Sequence, residues 1–283
     1  MALPGGVLGT VVFVILALVG LYYLYQFLFA SSGLDRKDLQ NGPIAANMDN
    51  PIVIQAANLP TLYEGGEYTV NTWVYINDWS YNRGQNKHII SIGGDQFLTF
   101  AIFLAPYANT LNVRVHTKSS NGLVSGAPSQ AVPSPSASAD DLSKGNVKNI
   151  FGGMQTPDGL TSTTRPCDVP SFDLQKWVQV TLVLNNSTSD VYIDGKLARS
   201  CVLPSTFKVD KNNLQLRICD YKGFGGFVSN VSAFNYSLNP EEVWRLYMSS
   251  PAANYSIWQY FSSLWNPNVT IKDVGYPKQN LIA

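Results

Sequence analysis

Charge is scarce in this chain, and what there is balances. Charged residues make up 13% of the sequence, with 19 Lys+Arg against 19 Asp+Glu. Without a basic excess there is no electrostatic footprint for nucleic acid, and that partner is excluded. Histidine and cysteine are also sparse, at two and three residues. His88 and His116 stand alone in strand-like runs and read as structural residues, so no zinc-type ligand spacing exists. An odd, small cysteine count argues against a disulfide framework. The expectation is three buried free thiols at Cys167, Cys201 and Cys219, with one bridge of unassigned pairing left open. Glutamate occurs only at Glu64, Glu67, Glu241 and Glu242. Glu64 and Glu67 precede the strand they would have to line, and Glu241 and Glu242 suit a helix cap. No carboxylate pair is therefore placed to flank a glycosidic bond. The sequence also lacks a Gly-x-Ser-x-Gly elbow, a Cys–His pair and a phosphate loop. The chain is expected to be no enzyme and to carry no cofactor.

What it does have is one long uncharged run, from Gly6 to Ala30. About 20 apolar residues in helix cross a hydrocarbon core about 30 Å thick. No Lys or Arg precedes the run, and it exceeds a signal-peptide core of about 7–15 residues. Residues 1–32 are read as a single transmembrane anchor. Tyr22, Tyr23 and Tyr25 near its end suit the membrane–water interface. Arg36 and Lys37 follow the run, and the positive-inside rule then puts the remaining chain on the cytoplasmic side. Six Asn-x-Ser/Thr triplets, at Asn185, Asn186, Asn230, Asn235, Asn254 and Asn268, suit the opposite side. Residues 33–50 are polar, with Asn41-Gly42-Pro43, and read as a tether.

Period-two alternation then dominates. In Glu67–Trp79, Tyr68, Val70, Thr72, Val74 and Ile76 share one face, with Trp73 and Tyr75 on the other. Strands are also expected at 51–57, 88–94, 97–104, 110–117 and 213–219. Residues 176–203 form a meander: Val178, Val180, Leu182 and Leu184 on one face, an Asn/Ser turn, Val191 to Ile193, then Asp194-Gly195. Asn239, Pro240 and Glu241-Glu242 mark a helix start, with an apolar stripe of Val243, Trp244, Leu246 and Tyr247.

The meander, the Trp73 strand with His88–Gly94, and the closing segment together resemble the concanavalin A-like jelly roll of laminin-G-like and pentraxin-like domains. The closing segment carries Phe224, Gly226, Phe234, Asn235, Tyr236, Leu238, Asn239, Glu241, Glu242, Leu246 and Tyr247. The resemblance spans about residues 51–248 and implies an all-β, antiparallel two-sheet jelly-roll sandwich with one short C-terminal helix. Its retaining glucanases carry a Glu-x-Asp-x-x-Glu strand, which is missing here. Its lectins often bind calcium, which needs clustered carboxylates. Asp140-Asp141 adjoin, while Asp190, Asp194, Asp210 and Asp220 are scattered. Asp194 and Asp220 are weak calcium candidates, and Asp194 is equally the turn residue of Asp-Gly.

The long insertion at 118–173 has a Ser/Pro-rich centre that cannot bury enough surface to fold alone. It reads either as an arm over a neighbouring subunit or as a loose surface loop. The tail, 249–283, sets Trp258, Tyr260, Phe261 and Trp265 on one helical face, suited to a membrane interface or a partner groove. Two functions fit. The first is a structural protein linking membrane lipid to an adjacent protein layer. In that architecture it resembles membrane-anchored minor capsid proteins of large membrane-containing DNA viruses. The second is a lectin-like surface protein, with Trp79 and Tyr81 as candidate sugar-stacking rings.

Overall fold

The computed structural model describes residues 5–29, 35–118, 140–156 and 167–249. It divides into two units, Met1–Asp35 and Arg36–Ala283. In the first, α1 (Gly5–Phe29) is a helix of 25 residues with no charged residue in either end turn. Its side chains are described at 9 and at 12–24, and all of these are exposed. Among the described residues no helix is long and apolar enough to cross a membrane. The Tyr22 and Tyr23 rings meet edge-on at 5.8 Å. The side chain of Tyr25 lies outside the described residues.

The second unit is an antiparallel sandwich. Its strands are β1 (Arg36–Gln40), β2 (Ile44–Ala45), β3 (Ile52–Gln55), β4 (Glu67–Asp78), β5 (Lys87–Gly93), β6 (Leu98–Leu104) and β7 (Leu111–Val115). Then come α2 (Lys144–Phe151), β8 (Trp177–Asn185), β9 (Thr188–Ile193), β10 (Lys196–Val202), β11 (Gln215–Ile218), β12 (Gly225–Phe234) and α3 (Pro240–Met248). The larger sheet runs β1-β12-β4-β8-β9-β10, with β2 also on β12; the smaller runs β3-β11-β5-β6-β7.

Alternation decides which side chains fill the space between the sheets. Tyr68, Val70, Val74 and Ile76 of β4, with Val178, Val180, Leu182 and Leu184 of β8, face Ile90, Ile92, Phe100, Ile102, Val113 and Leu216 across one shared core. The β9–β10 connection has Asp194 at φ 49° and Gly195 at φ 75°. Two successive positive φ values match the primed turn that Asp-Gly favours.

Three expectations change. Residues 36–45, expected within a tether, add β1 and β2 to the larger sheet, with Arg36 opposite Phe234 and Ile44 opposite Val228. The returning limb of the insertion is neither a loose loop nor an arm reaching elsewhere. Its α2 sets Val147, Ile150 and Phe151 at helical spacing, and with Leu142 they bury Leu98, Ala101 and Phe103 on the outside of the smaller sheet. Residues 119–139 and 157–166 lie outside the described residues. Finally, Cys167 and Cys201 are disulfide-bonded, with Cα atoms 5.8 Å apart, inside the range a disulfide needs. Only Cys219 stays free, and it is buried; burial pushes its thiol pKa far up, which makes it inert.

The closing helix follows the expected signals. Asn239 caps it by accepting a hydrogen bond from the Glu242 N–H, and the Glu242 carboxylate accepts one from the Asn239 N–H. Its Val243 packs with Val183, Tyr192, Phe234 and Leu238 on the outside of the larger sheet.

Candidate functional site

A cavity of about 170 Å³ opens on the outside of the larger sheet, between β1, β4, β12 and the end of α3. At about 30 Å³ per liquid water it has room for five or six waters, or one small polar ring. Asn71 and Trp73 line it from β4, Asn230 and Ser232 from β12, and Arg36 and Asp38 from β1. These residues come together only because β12 pairs with both β1 and β4.

Asn71 is buried, and its amide is held in one orientation. Its Oδ1 accepts from Gln179 Nε2 at 2.8 Å and from Thr181 Oγ1 at 2.9 Å. That leaves Nδ2 as the donor towards the cavity side. Its contacts there, to the Asn230 carbonyl at 3.4 Å and Ser232 Oγ at 3.5 Å, are long. A ligand hydroxyl at an ordinary distance would replace them without loss. Trp73 is stacked on Tyr247 of α3 at 5.7 Å, which fixes its ring at the wall. At the rim, Arg36 donates to Asp38 at 3.0 Å and lies 5.4 Å over the Phe234 ring. Asp38 is the one carboxylate among the lining residues. The arrangement can bind a polyhydroxy ring through amide, hydroxyl, guanidinium and carboxylate groups. It does not supply the pair of carboxyls that glycoside hydrolysis generally uses.

Of the residues singled out from sequence, those described lie elsewhere. Trp79 is half-buried against the core, and Lys87 Nζ sits 4.5 Å over its ring. Desolvation lowers the Lys87 pKa to about 8, partly offset by nearby Asp78. Tyr81 is half-buried, with its Cβ against the space beside Gly225. Asp194 accepts from the Gln179 N–H at 2.9 Å and pairs with Lys176 at 3.5 Å. Asp220 accepts from its neighbour's Tyr221 N–H and from Arg217. The two aspartates stand on different sheets, and no metal-holding group of three His, Cys, Asp or Glu exists among the described residues. Trp258, Tyr260, Phe261 and Trp265 lie outside the described residues. Arg36, Asn71, Trp73 and Ser232 had no signal as a set, because strands β4 and β12 are distant in sequence.

Both histidines are buried structural residues on the outside of the smaller sheet. His88 Nε2 meets Ser91 Oγ at 2.9 Å, and its Nδ1 accepts from the Asp220 N–H at 3.1 Å. His116 Nδ1 accepts from the Leu142 N–H at 3.2 Å.

Residues 150–244 match the family described as the concanavalin A-like lectin/glucanases superfamily. That window is about a third of the chain and contains the meander and most of the closing segment. Solved structures to which the chain is similar include the receptor-binding domain of botulinum neurotoxin mosaic serotype C/D, at 11% identity and TM-score 0.44. Others are the botulinum neurotoxin serotype G binding domain, at 16% and 0.40, and the binding domain of Paraclostridial Mosquitocidal Protein 1, at 15% and 0.43. They cover 76%, 77% and 76% of this chain, which spans 45%, 47% and 46% of theirs. No curated protein matches. The matched segment is similar to concanavalin A-like domains, and the sandwich built around it has their two-sheet antiparallel form.

Proposed function

We propose that this protein is a membrane-tethered, lectin-like module that binds saccharide without cleaving it. The observation that carries the reading is the cavity walled by Asn71, Trp73, Asn230 and Ser232 and rimmed by Arg36 and Asp38. A buried amide clamped by two hydrogen bonds and a ring fixed by stacking are pre-organised donors and walls, which reduces the ordering cost of binding. The tether in this reading rests on the sequence alone, on the uncharged run from Gly6 to Ala30.

The Cys167–Cys201 bond supports an outward-facing sandwich, since disulfides persist in oxidising compartments. It outweighs the opposite vote of Arg36 and Lys37. Asn185 and Asn186 are exposed in the β8–β9 turn, where a glycosyl transferase would reach them.

A glycan array probed with the full chain in detergent tests the saccharide reading. Binding to a neutral glycan, lost in Arg36→Ala and Asp38→Asn with an unchanged thermal midpoint, is expected; an array with no bound glycan overturns it. Intact mass before and after reduction tests sidedness. Two cysteines protected until reduction are expected, and three free thiols would return the sandwich to the cytoplasmic side.

The scaffold reading, including a capsid-type role, has one observation in its favour. β10 is an open sheet edge with Leu197 and Val202 exposed, and an adjacent protein could add a strand there. Cross-linking through a cysteine placed at Val202 would capture such a partner.

A further inference from the structure

A second cavity, of about 130 Å³, lies on the outside of the smaller sheet, between α2 and the ends of β5 and β11. Its apolar wall is Phe97, Leu98, Leu142 and Val147; its polar lining is Lys144, Lys148, Arg217, Tyr221 and Asp95. Three cations thus face one carboxylate, whereas the cavity on the other sheet has one of each.

The charges differ in how far they are already used. Arg217 donates to Asp220 at 3.2 Å and to Gln215 at 3.4 Å. The Asp95 carboxylate accepts from Asn213 at 3.2 Å. Lys144 and Lys148 stand one helical turn apart on α2, both exposed, and neither has a carboxylate partner among the described residues. A further cation, Lys208, lies 5.6 Å over the Phe97 ring. Next to the cavity the backbone is unusual. Cys219, Tyr221 and Lys222 have φ of 53°, 53° and 65°, a left-handed region that residues other than glycine seldom occupy. That run sets the Tyr221 ring flat against Phe151 of α2, 4.9 Å away.

We propose that this cavity is a second binding site, selective for an acidic saccharide, with Lys144 and Lys148 meeting the ring's carboxylate or sulfate. The apolar wall with Tyr221 takes the face of the sugar ring, and the two ammonium groups take the anion. The saccharide half rests on the lectin-like reading, while the anion half rests only on the cations around the cavity.

The test is a ligand-observed NMR titration of the full chain in detergent, at about 10 mM salt, where charge interactions act over about 30 Å before they are screened. Glucuronate, glucose and inorganic sulfate are the three probes. Glucuronate is expected to bind roughly tenfold more tightly than glucose or sulfate. The exposed double variant Lys144→Gln/Lys148→Gln should remove that margin and keep the wild-type thermal midpoint. Equal binding of glucose removes the anion claim, equal binding of sulfate removes the saccharide claim, and glucuronate binding unchanged in the double variant moves the site elsewhere. Failure here is separable from failure of the lectin-like reading, because Arg36→Ala and Asp38→Asn lie on the other sheet and leave this cavity intact.

Discussion

On the outside of the larger sheet the buried polar groups are neutral; the smaller sheet buries full charges among its polar groups. Under α3, Asn71, Gln179 and Thr181 form a network of amide and hydroxyl groups. Under the returning limb of the insertion, Arg114 is fully buried, its guanidinium paired with both oxygens of Asp168. The covers differ accordingly. α3 carries its own capping box and follows β12 directly in the chain. The α2 limb is held by an apolar cluster, a buried ion pair and, through Cys167, a covalent link to β10. A neutral face tolerates partial opening, whereas a face with buried charge does not, because each exposed or orphaned ion shifts the balance by kilocalories.

The sharpest way to break this comparison is to orphan one charge. Asp168→Ala removes the buried partner of Arg114 and leaves it only the more exposed Asp140, 3.8 Å from Nε, and should cost about 3–5 kcal/mol. Thr181→Ala on the other face should cost about 1–2 kcal/mol. Urea unfolding midpoints measure both, and equal losses would mean the two faces are energetically alike.

Reducing the disulfide acts on the covered charged face through the unfolded chain. Cys167 and Cys201 are 34 residues apart, and opening a loop of that size should cost about 3–4 kcal/mol. The expected signature is a lower unfolding midpoint in reductant, with faster hydrogen exchange concentrated in residues 140–156 and not in α3.

Acid should also separate the faces. Burial holds the His88 pKa down to about 4, with Asp220 opposing and Arg217 reinforcing that shift. Its unfolded value is about 6.5, so the folded state binds fewer protons between the two. Stability is therefore complete above about pH 6.5 and declines as pH falls towards 4, by up to about 3 kcal/mol. The rings of Phe151 and Tyr221 pack on His88, so the loss should start at the α2 limb. His88→Gln should flatten the profile in this window; an unchanged slope would move its origin to other groups.

Much of the sandwich was legible because alternation is a local signal. Tyr68, Val70, Val74 and Ile76 announce their shared face within one strand. The α2 stripe of Val147, Ile150 and Phe151 was equally local, but only eight residues long and flanked by Ser/Pro-rich sequence, so the composition around it hid the period. Pairing between distant segments was not legible. Cysteine spacing says nothing of Cα separation, and Asn71 lies 161 residues from Ser232 in the chain. The site residues are ordinary polar residues on the outward face of good strands. What makes them a site is strand order, which alternation does not encode.

The smallest effect tests whether the neutral face depends on its cover at all. Asn239→Ala removes the side-chain half of the reciprocal cap, leaving the backbone N–H to the Glu242 carboxylate, and should destabilise α3 by about 1 kcal/mol. Because α3 buries Val243 with Leu238 and supports Trp73 through Tyr247, a loosened helix would free the wall of the first cavity. The expected result is a small drop in unfolding midpoint with a larger proportional loss of neutral-glycan binding, and no change in glucuronate binding at α2. Equal losses at both cavities would show that the sandwich opens as one body and that its two faces are not independently covered.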